Sequence, residues 1–263
     1  MWKSEVRESV VNRKFFFGVF LLIIVILAVA YPYRIYLIES GGSAEGPAWI
    51  AVFVYSISSE RTLLFLPLFV PLAAAGNVQE EMKSRFAVFL VSRAGKKNYL
   101  AGKILGAALS GGLMALAAVG IGLAVIVPWC AGIPDLSSRV SEMMRNTAGT
   151  SPEIAEAVPP LGMWSLLPAF LCSFLNGAFW ALAGSAAAVL AKNHYLGYAV
   201  PFILYYVLTV FQERYYADLY ILSPRQWAYP SYYGAGVCIT VLVLLALAAA
   251  LLLIKLTERR LTG

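Results

Sequence analysis

The sequence predicts an all-α, polytopic membrane protein with six transmembrane helices. Three observations carry that reading. The chain of 263 residues is 60% hydrophobic with mean hydropathy +0.76, above the apolar share of ordinary soluble domains. Lys and Arg are absent from six long stretches, at 15–33, 62–79, 104–138, 146–191, 193–212 and 226–254. These stretches are continuously apolar rather than alternating. Lipid cannot satisfy backbone groups, so they read as helices rather than barrel strands.

The charges that separate the stretches fix an orientation. Lys3, Arg7, Arg13, Lys14, Lys83, Arg85, Arg93, Lys96, Lys97, Lys103, Lys192, Lys255, Arg259 and Arg260 fall in alternate gaps and at both termini. Only Arg34, Arg61, Arg139, Arg145, Arg214 and Arg225 fall in the other gaps. The positive-inside rule then places both termini in the cytoplasm. Acidic residues lean the other way, so the net charge of +6 is a topological asymmetry and gives no reason to expect a nucleic-acid partner. Surrounding membrane lipid is the expected environment.

Residues 2–14 read as a helix lying on the inner surface, because Trp2, Val6 and Val10 recur every four residues among charged ones. A solvated leader that carries only topogenic charge is the alternative. The first span is expected at about 15–34. Ala28-Val29-Ala30 resembles a cleavage site, yet the preceding region is long and contains Glu5 and Glu8, so the span reads as uncleaved. Tyr31, Tyr33 and Tyr36 suit an outer interface.

Residues 48–59 are apolar but too short to span, so they predict either an outer re-entrant or surface helix or the first part of a long, bent second span. The second span is expected at about 61–79, bent by Pro67 and Pro71. The third, at about 102–128, carries Gly106, Ala107, Ala108, Ser110, Gly111, Gly112, Ala115, Gly120 and Gly122. Small residues let helices approach closely in lipid; a pore-lining role is the alternative. Residues 134–160 are polar and read as an external loop, ended by Pro159-Pro160. The remaining spans are expected at about 163–191, 195–212 and 231–254.

Little in the chain resembles a catalytic centre. The one histidine, His194, lies in a predicted inner turn and reads as a polar turn residue. Gly102-Lys103 is followed by Ile104, so no phosphate-binding loop occurs, and nucleotide hydrolysis by the chain itself is not expected. The spans lack the carboxylates and lysines that proton-coupled carriers use. Cys172 and Cys238 read as small buried hydrophobes, and Cys130 lies near an outer helix end. No disulfide framework or metal spacing is evident.

The most informative inner segment is 78–103. Val78, Met82, Phe86, Phe89 and Leu90 fall on one helical face, and Glu81 stands four residues before Arg85, so an amphipathic helix is expected at about 80–92. It reads either as a docking element for a partner's groove or as a solvated topogenic loop.

Several motifs here resemble those of the membrane subunit of ABC transporters of the type-2 exporter class. They are Glu80-Glu81 at the end of the second span, Phe89-Leu90-Val91-Ser92-Arg93, Tyr99, and Lys103 opening the third span. Residues 193–206 and Leu222-Ser223-Pro224 agree, as do the length, the six spans and the N-terminal surface helix. Met82-Lys83-Ser84-Arg85 departs from the family's Gly-Thr, and Val91-Ser92-Arg93-Ala94 lacks its usual Pro.

The resemblance implies a permease subunit in a bacterial plasma membrane. It implies pairing with a second, identical or homologous, permease and with an ATPase dimer that binds the ATP and Mg. The helix at 80–92 would be the cytoplasmic coupling helix, with Glu80, Glu81, Arg85 and Arg93 as polar contacts and Phe86 and Phe89 as anchors. Re-entrant outer helices at 213–230 would follow. Eight of the 15 tyrosines lie between Tyr205 and Tyr233, joined by Phe202, Phe211 and Trp227. They read as an interfacial belt or as an exit surface for an amphipathic cargo. Antimicrobial peptide or drug export is the favoured expectation. A membrane enzyme and a non-transporting sensor or scaffold are the alternatives from other classes.

Overall fold

The computed structural model describes residues 10, 12–42, 46–84, 86–134, 166–216, 219, 221, 223–228 and 235–262; no strand occurs among them. Six of the helical segments are long and apolar enough to cross a membrane, which fits a multi-pass membrane protein.

α1 (Arg13–Glu39) starts at Asn12, whose side-chain oxygen accepts the Lys14 backbone N–H at 3.1 Å and so satisfies one orphan donor of the first turn. Of the predicted surface helix, residues 1–9 and 11 lie outside the described residues, while Arg13 and Lys14 belong to α1. α2 (Ala48–Ser58) is a helix separate from the one that follows. Ser59, in extended backbone, divides it from α3 (Glu60–Phe69). Ile50, Val52, Phe53 and Ile57 bury α2 against the bundle.

The second span is interrupted at Pro71, whereas Pro67 lies inside the unbroken α3. α3 gives way to a 3₁₀ turn at Val70–Ala73, with Pro71 in its first turn, and then to α4 (Ala75–Lys83). Proline lacks the donor that a continuous α-helix needs, so the tighter turn is the local solution. α5 (Phe86–Ala94) is short, and α6 (Lys96–Trp129) is the longest helix. α6 begins well before the expected 102, so the basic residues Lys96 and Lys97 form its first turn rather than a loop. α7 (Leu166–Ala191), α8 (His194–Tyr215) and α9 (Ala235–Thr262) complete the described helices. The expected external loop lies outside the described residues apart from Pro134. Of the expected outer helices at 213–230, the end of α8, a 3₁₀ turn at Pro224–Gln226 and a few flanking residues are described.

α7 is the hub, packing on α4, α6, α8 and α9. Its contact with α6 runs through glycine. A Cβ on Gly177 would meet the Gly111 carbonyl oxygen at 2.4 Å, and one on Gly111 would meet the Ala181 Cβ at 2.3 Å. Gly184 meets Pro71 and the Gly197 carbonyl of α8 in the same way. Close packing therefore accounts for most of the small residues on α6. Gly120 is the exception and faces open space.

Polar contacts gather at the two ends of the bundle. At one end Arg34 Nε donates to the Trp129 carbonyl at 2.8 Å, tying α1 to α6. At that same end Arg225 bridges Glu60 of α3, at 2.6 Å, and Glu213 of α8. Burial lowers the basicity of Arg225, but the two carboxylates outweigh it and leave the net shift upward. At the other end, here called inner, lie Lys14, Glu80, Glu81, Lys103, Lys192 and Arg260, the residues the charge pattern groups together. The aromatic cluster divides. Tyr205 and Trp227 are buried in a knot with Phe179 and Trp180, whereas Tyr206 and Tyr215 are exposed. Tyr220, Tyr229, Tyr232 and Tyr233 lie outside the described residues.

Candidate functional site

At the inner end the chain makes a helical hairpin between its second and third spans. α4 stops at Ser84, whose N–H donates to the Glu80 carbonyl at 3.0 Å and whose Oγ donates to the Glu81 carbonyl at 3.1 Å. α5 stops at Gly95, with φ of +82°, a conformation that side chains beyond glycine rarely adopt. The Gly95 N–H still bonds the Val91 carbonyl at 2.9 Å, and its own carbonyl accepts the Tyr99 N–H at 3.1 Å. One residue thus ends α5 and begins α6.

The expected single helix at 80–92 is therefore two helices broken at Ser84, and the apolar stripe is broken with it. Val78 is buried in the main core, while Phe86 and Phe89 are 50% and 56% exposed. A change of helix direction resets the phase, so the 3.6-residue period cannot run through the turn. α5 seats instead by Ala87, Leu90 and Val91 on Tyr99 and Leu100 of α6, with Ile254 and Leu261 of α9 closing the cluster.

A buried ion pair braces the hairpin. Lys103 Nζ donates to Glu81 Oε1, and the side chains are 5% and 17% exposed. Tyr99 Oη donates to the other carboxylate oxygen at 3.2 Å, and its ring centroid lies 5.5 Å from Lys103 Nζ. Tyr99 and Lys103 are one helical turn apart, so both reach the same carboxylate from one face of α6. A charge taken out of water stabilises only when its partners satisfy it, and this carboxylate has both a cation and a hydroxyl. The pair links the last turn of the second span to the first turns of the third.

The six residues singled out in the sequence separate into groups. Glu81 is turned inward onto Lys103 and Tyr99. Phe86 and Phe89 are stacked on each other, 5.9 Å between centroids, and stand out from the hairpin. Arg93 is exposed at the far end of α5, where Ser92 Oγ donates to the Phe89 carbonyl at 2.9 Å. Glu80 is exposed, 4.0 Å from Lys14 Nζ of α1, a separation worth little in water. Arg85 lies outside the described residues, so its expected pairing with Glu81 does too.

Two further contacts escape a linear reading. Cys172 of α7 and Cys238 of α9 stand with sulfurs 3.7 Å apart, both fully buried, although 66 residues separate them. Trp180 joins the aromatic knot from α7, far in sequence from the tyrosine-rich segment. Among the described residues no group of three or more His, Cys, Asp or Glu side chains converges as a metal site would. Among the described residues these features define the class of the molecule: helices without strands, six of them of membrane length, and a hairpin braced by an ion pair at one end. No family model matches the chain, and no curated protein matches it either.

Proposed function

We propose that this chain is the permease subunit of an ATP-driven exporter of the ABC type-2 class. It pairs with a second permease and takes its energy from a separate ATPase dimer that binds the ATP and Mg. The observation that supports the reading best is the hairpin. An exposed pair of phenylalanine rings projects from a short helix that Glu81, Tyr99 and Lys103 brace against the second and third spans. Exposed aromatic side chains on an anchored helix are what a partner's groove recognises.

A push on α5 then reaches two spans at once, because α5 packs on α6 and the ion pair ties α6 to α4. Nucleotide in the partner supplies the differential binding that any such change of state requires. Phe86 and Phe89 are the anchors and Arg93 and Glu80 the rim contacts, while Glu81 transmits force from inside. The cytoplasm is the side on which α5 lies, following the distribution of basic residues. Antimicrobial peptides or drugs are the favoured cargo by resemblance.

The test is affinity purification from the native membrane, with bound protein identified by mass spectrometry. The wild-type chain retains an ATPase. Phe86→Asp with Phe89→Asp loses it while the bundle keeps its thermal stability, since neither ring is buried. A wild-type preparation that carries no ATPase, or a double variant that retains it fully, overturns the reading.

A further inference from the structure

Beside the hairpin a groove of 1320 Å³ opens at the inner end, between α5, the α7–α8 turn and the end of α9. We infer that this groove is a binding site for the phosphate headgroup and adjoining acyl chain of an anionic membrane lipid. Its charged wall is cationic, with Lys83, Lys192, Arg259 and Arg260, and among the described residues no lining side chain carries a carboxylate.

The acids described nearby lie outside the groove lining. Glu81 is held by Lys103, Glu258 lies 3.1 Å from Lys96, and Glu80 lies 4.0 Å from Lys14. Arg260 is fixed by neutral acceptors, the Gln79 Oε1 at 3.2 Å and the Leu190 carbonyl at 3.4 Å, which orient the guanidinium without cancelling its charge. Lys192 sits at φ +58°, in a two-residue turn that points the chain back into the bundle and fixes where its side chain starts. Lys83, Lys192 and Arg260 around one groove thus call for an external anion.

The other wall selects the source of that anion. Leu190 and Val88, 66% and 61% exposed, line the same groove. A free phosphate would leave these surfaces in water, whereas a lipid covers them with its chain while its phosphate meets the cations. Basic pockets between helices at the cytoplasmic edge are where anionic headgroups bind. The inference does not rest on the transport reading, because it uses only the charges and apolar wall of the groove.

The experiment is native mass spectrometry of the purified chain titrated with phosphatidylglycerol or phosphatidylcholine, with glycerol phosphate as competitor. Phosphatidylglycerol binds in preference to phosphatidylcholine, and glycerol phosphate displaces it poorly. Each cation near such a surface contributes about fivefold, so Lys83→Gln with Lys192→Gln weakens phosphatidylglycerol binding about 30-fold. Lys83→Arg with Lys192→Arg restores it, which separates lost charge from lost folding. Lys96→Gln with Lys97→Gln removes the same charge from the same end of the bundle and stays within about twofold of wild type. Equal loss in the two glutamine pairs, or no preference between the lipids, overturns the inference. Competition by glycerol phosphate as tight as by intact lipid also overturns it. So does shielding of the groove lysines from acylation by a bound protein but never by lipid.

Discussion

Replacing Lys103 by Met is the perturbation whose cost the structure defines most sharply. Methionine keeps the length of the side chain and removes the charge, so Glu81 loses the Lys103 cation at Oε1 and keeps the Tyr99 hydroxyl at the other oxygen. Removing one member of a buried ion pair costs about 3–5 kcal/mol, because the remaining charge is stranded out of water. Glu81 is 17% exposed and keeps one donor, which places the loss near the lower end, about 3 kcal/mol. At roughly 2–4 °C per kcal/mol for chains near this size, the melting temperature falls on the order of 10 °C. Glu81→Leu removes the carboxylate from the more buried partner, Lys103, and costs at least as much. Glu81→Leu combined with Lys103→Met removes both charges together and recovers most of the loss, since a neutral packed replacement is often equivalent to the pair. The assay is thermal unfolding of the purified chain in one detergent, followed through all four proteins as a double-mutant cycle. Single variants that melt within about 1 °C of wild type, or a double variant no better than the singles, refute the bracing role, given the calibration above.

Three other outcomes follow from the packing. Gly177→Ala drives a methyl group into the Gly111 carbonyl oxygen, which cannot move aside as a flexible side chain would, and lowers stability by about 1–3 kcal/mol in thermal unfolding. Gly120→Ala, facing open space on the same helix pair, stays within about 0.5 kcal/mol, and equal effects at the two sites would contradict the packing described. A membrane-permeant thiol oxidant joins Cys172 to Cys238 within one chain, detected by peptide mass mapping, and leaves Cys130 out of the bond; failure to form that bond contradicts the juxtaposition. Arg225→Gln loosens α3 and α8 from the segment between α8 and α9 by no more than about 1 kcal/mol per exposed pair, an effect that shrinks as salt is added.

The six membrane-length helices were legible because each contains a long run free of Lys and Arg, a signal set by bilayer thickness rather than by particular neighbours. The interruption of the second span was legible too, since Pro71 acts locally, whereas Pro67 leaves α3 unbroken. Helix ends were less so. α6 starts at Lys96 and α9 runs on past Lys255 to Thr262, because long basic side chains can extend from a helix into water while its backbone continues. The resemblance marked Glu81, Tyr99 and Lys103 individually. Their meeting depends on how the second span returns beside the third, and periodicity carries no such information. The break at Ser84 was hidden because its cap is a short hydroxyl side chain with no glycine or proline to announce it. The Cys172–Cys238 contact, Trp180 in the aromatic knot and the cationic groove each join segments far apart in the chain.

The central claim is that the energy comes from a second protein acting on α5. The most direct measurement is vanadate-sensitive ATP turnover in vesicles containing the purified chain, with and without the ATPase that co-purifies with it. The account predicts no turnover by the chain alone. With the partner it predicts turnover that responds to the wild-type chain and not to Phe86→Asp with Phe89→Asp. Nucleotide hydrolysis or uphill movement of solute by this polypeptide with no second protein present would contradict it.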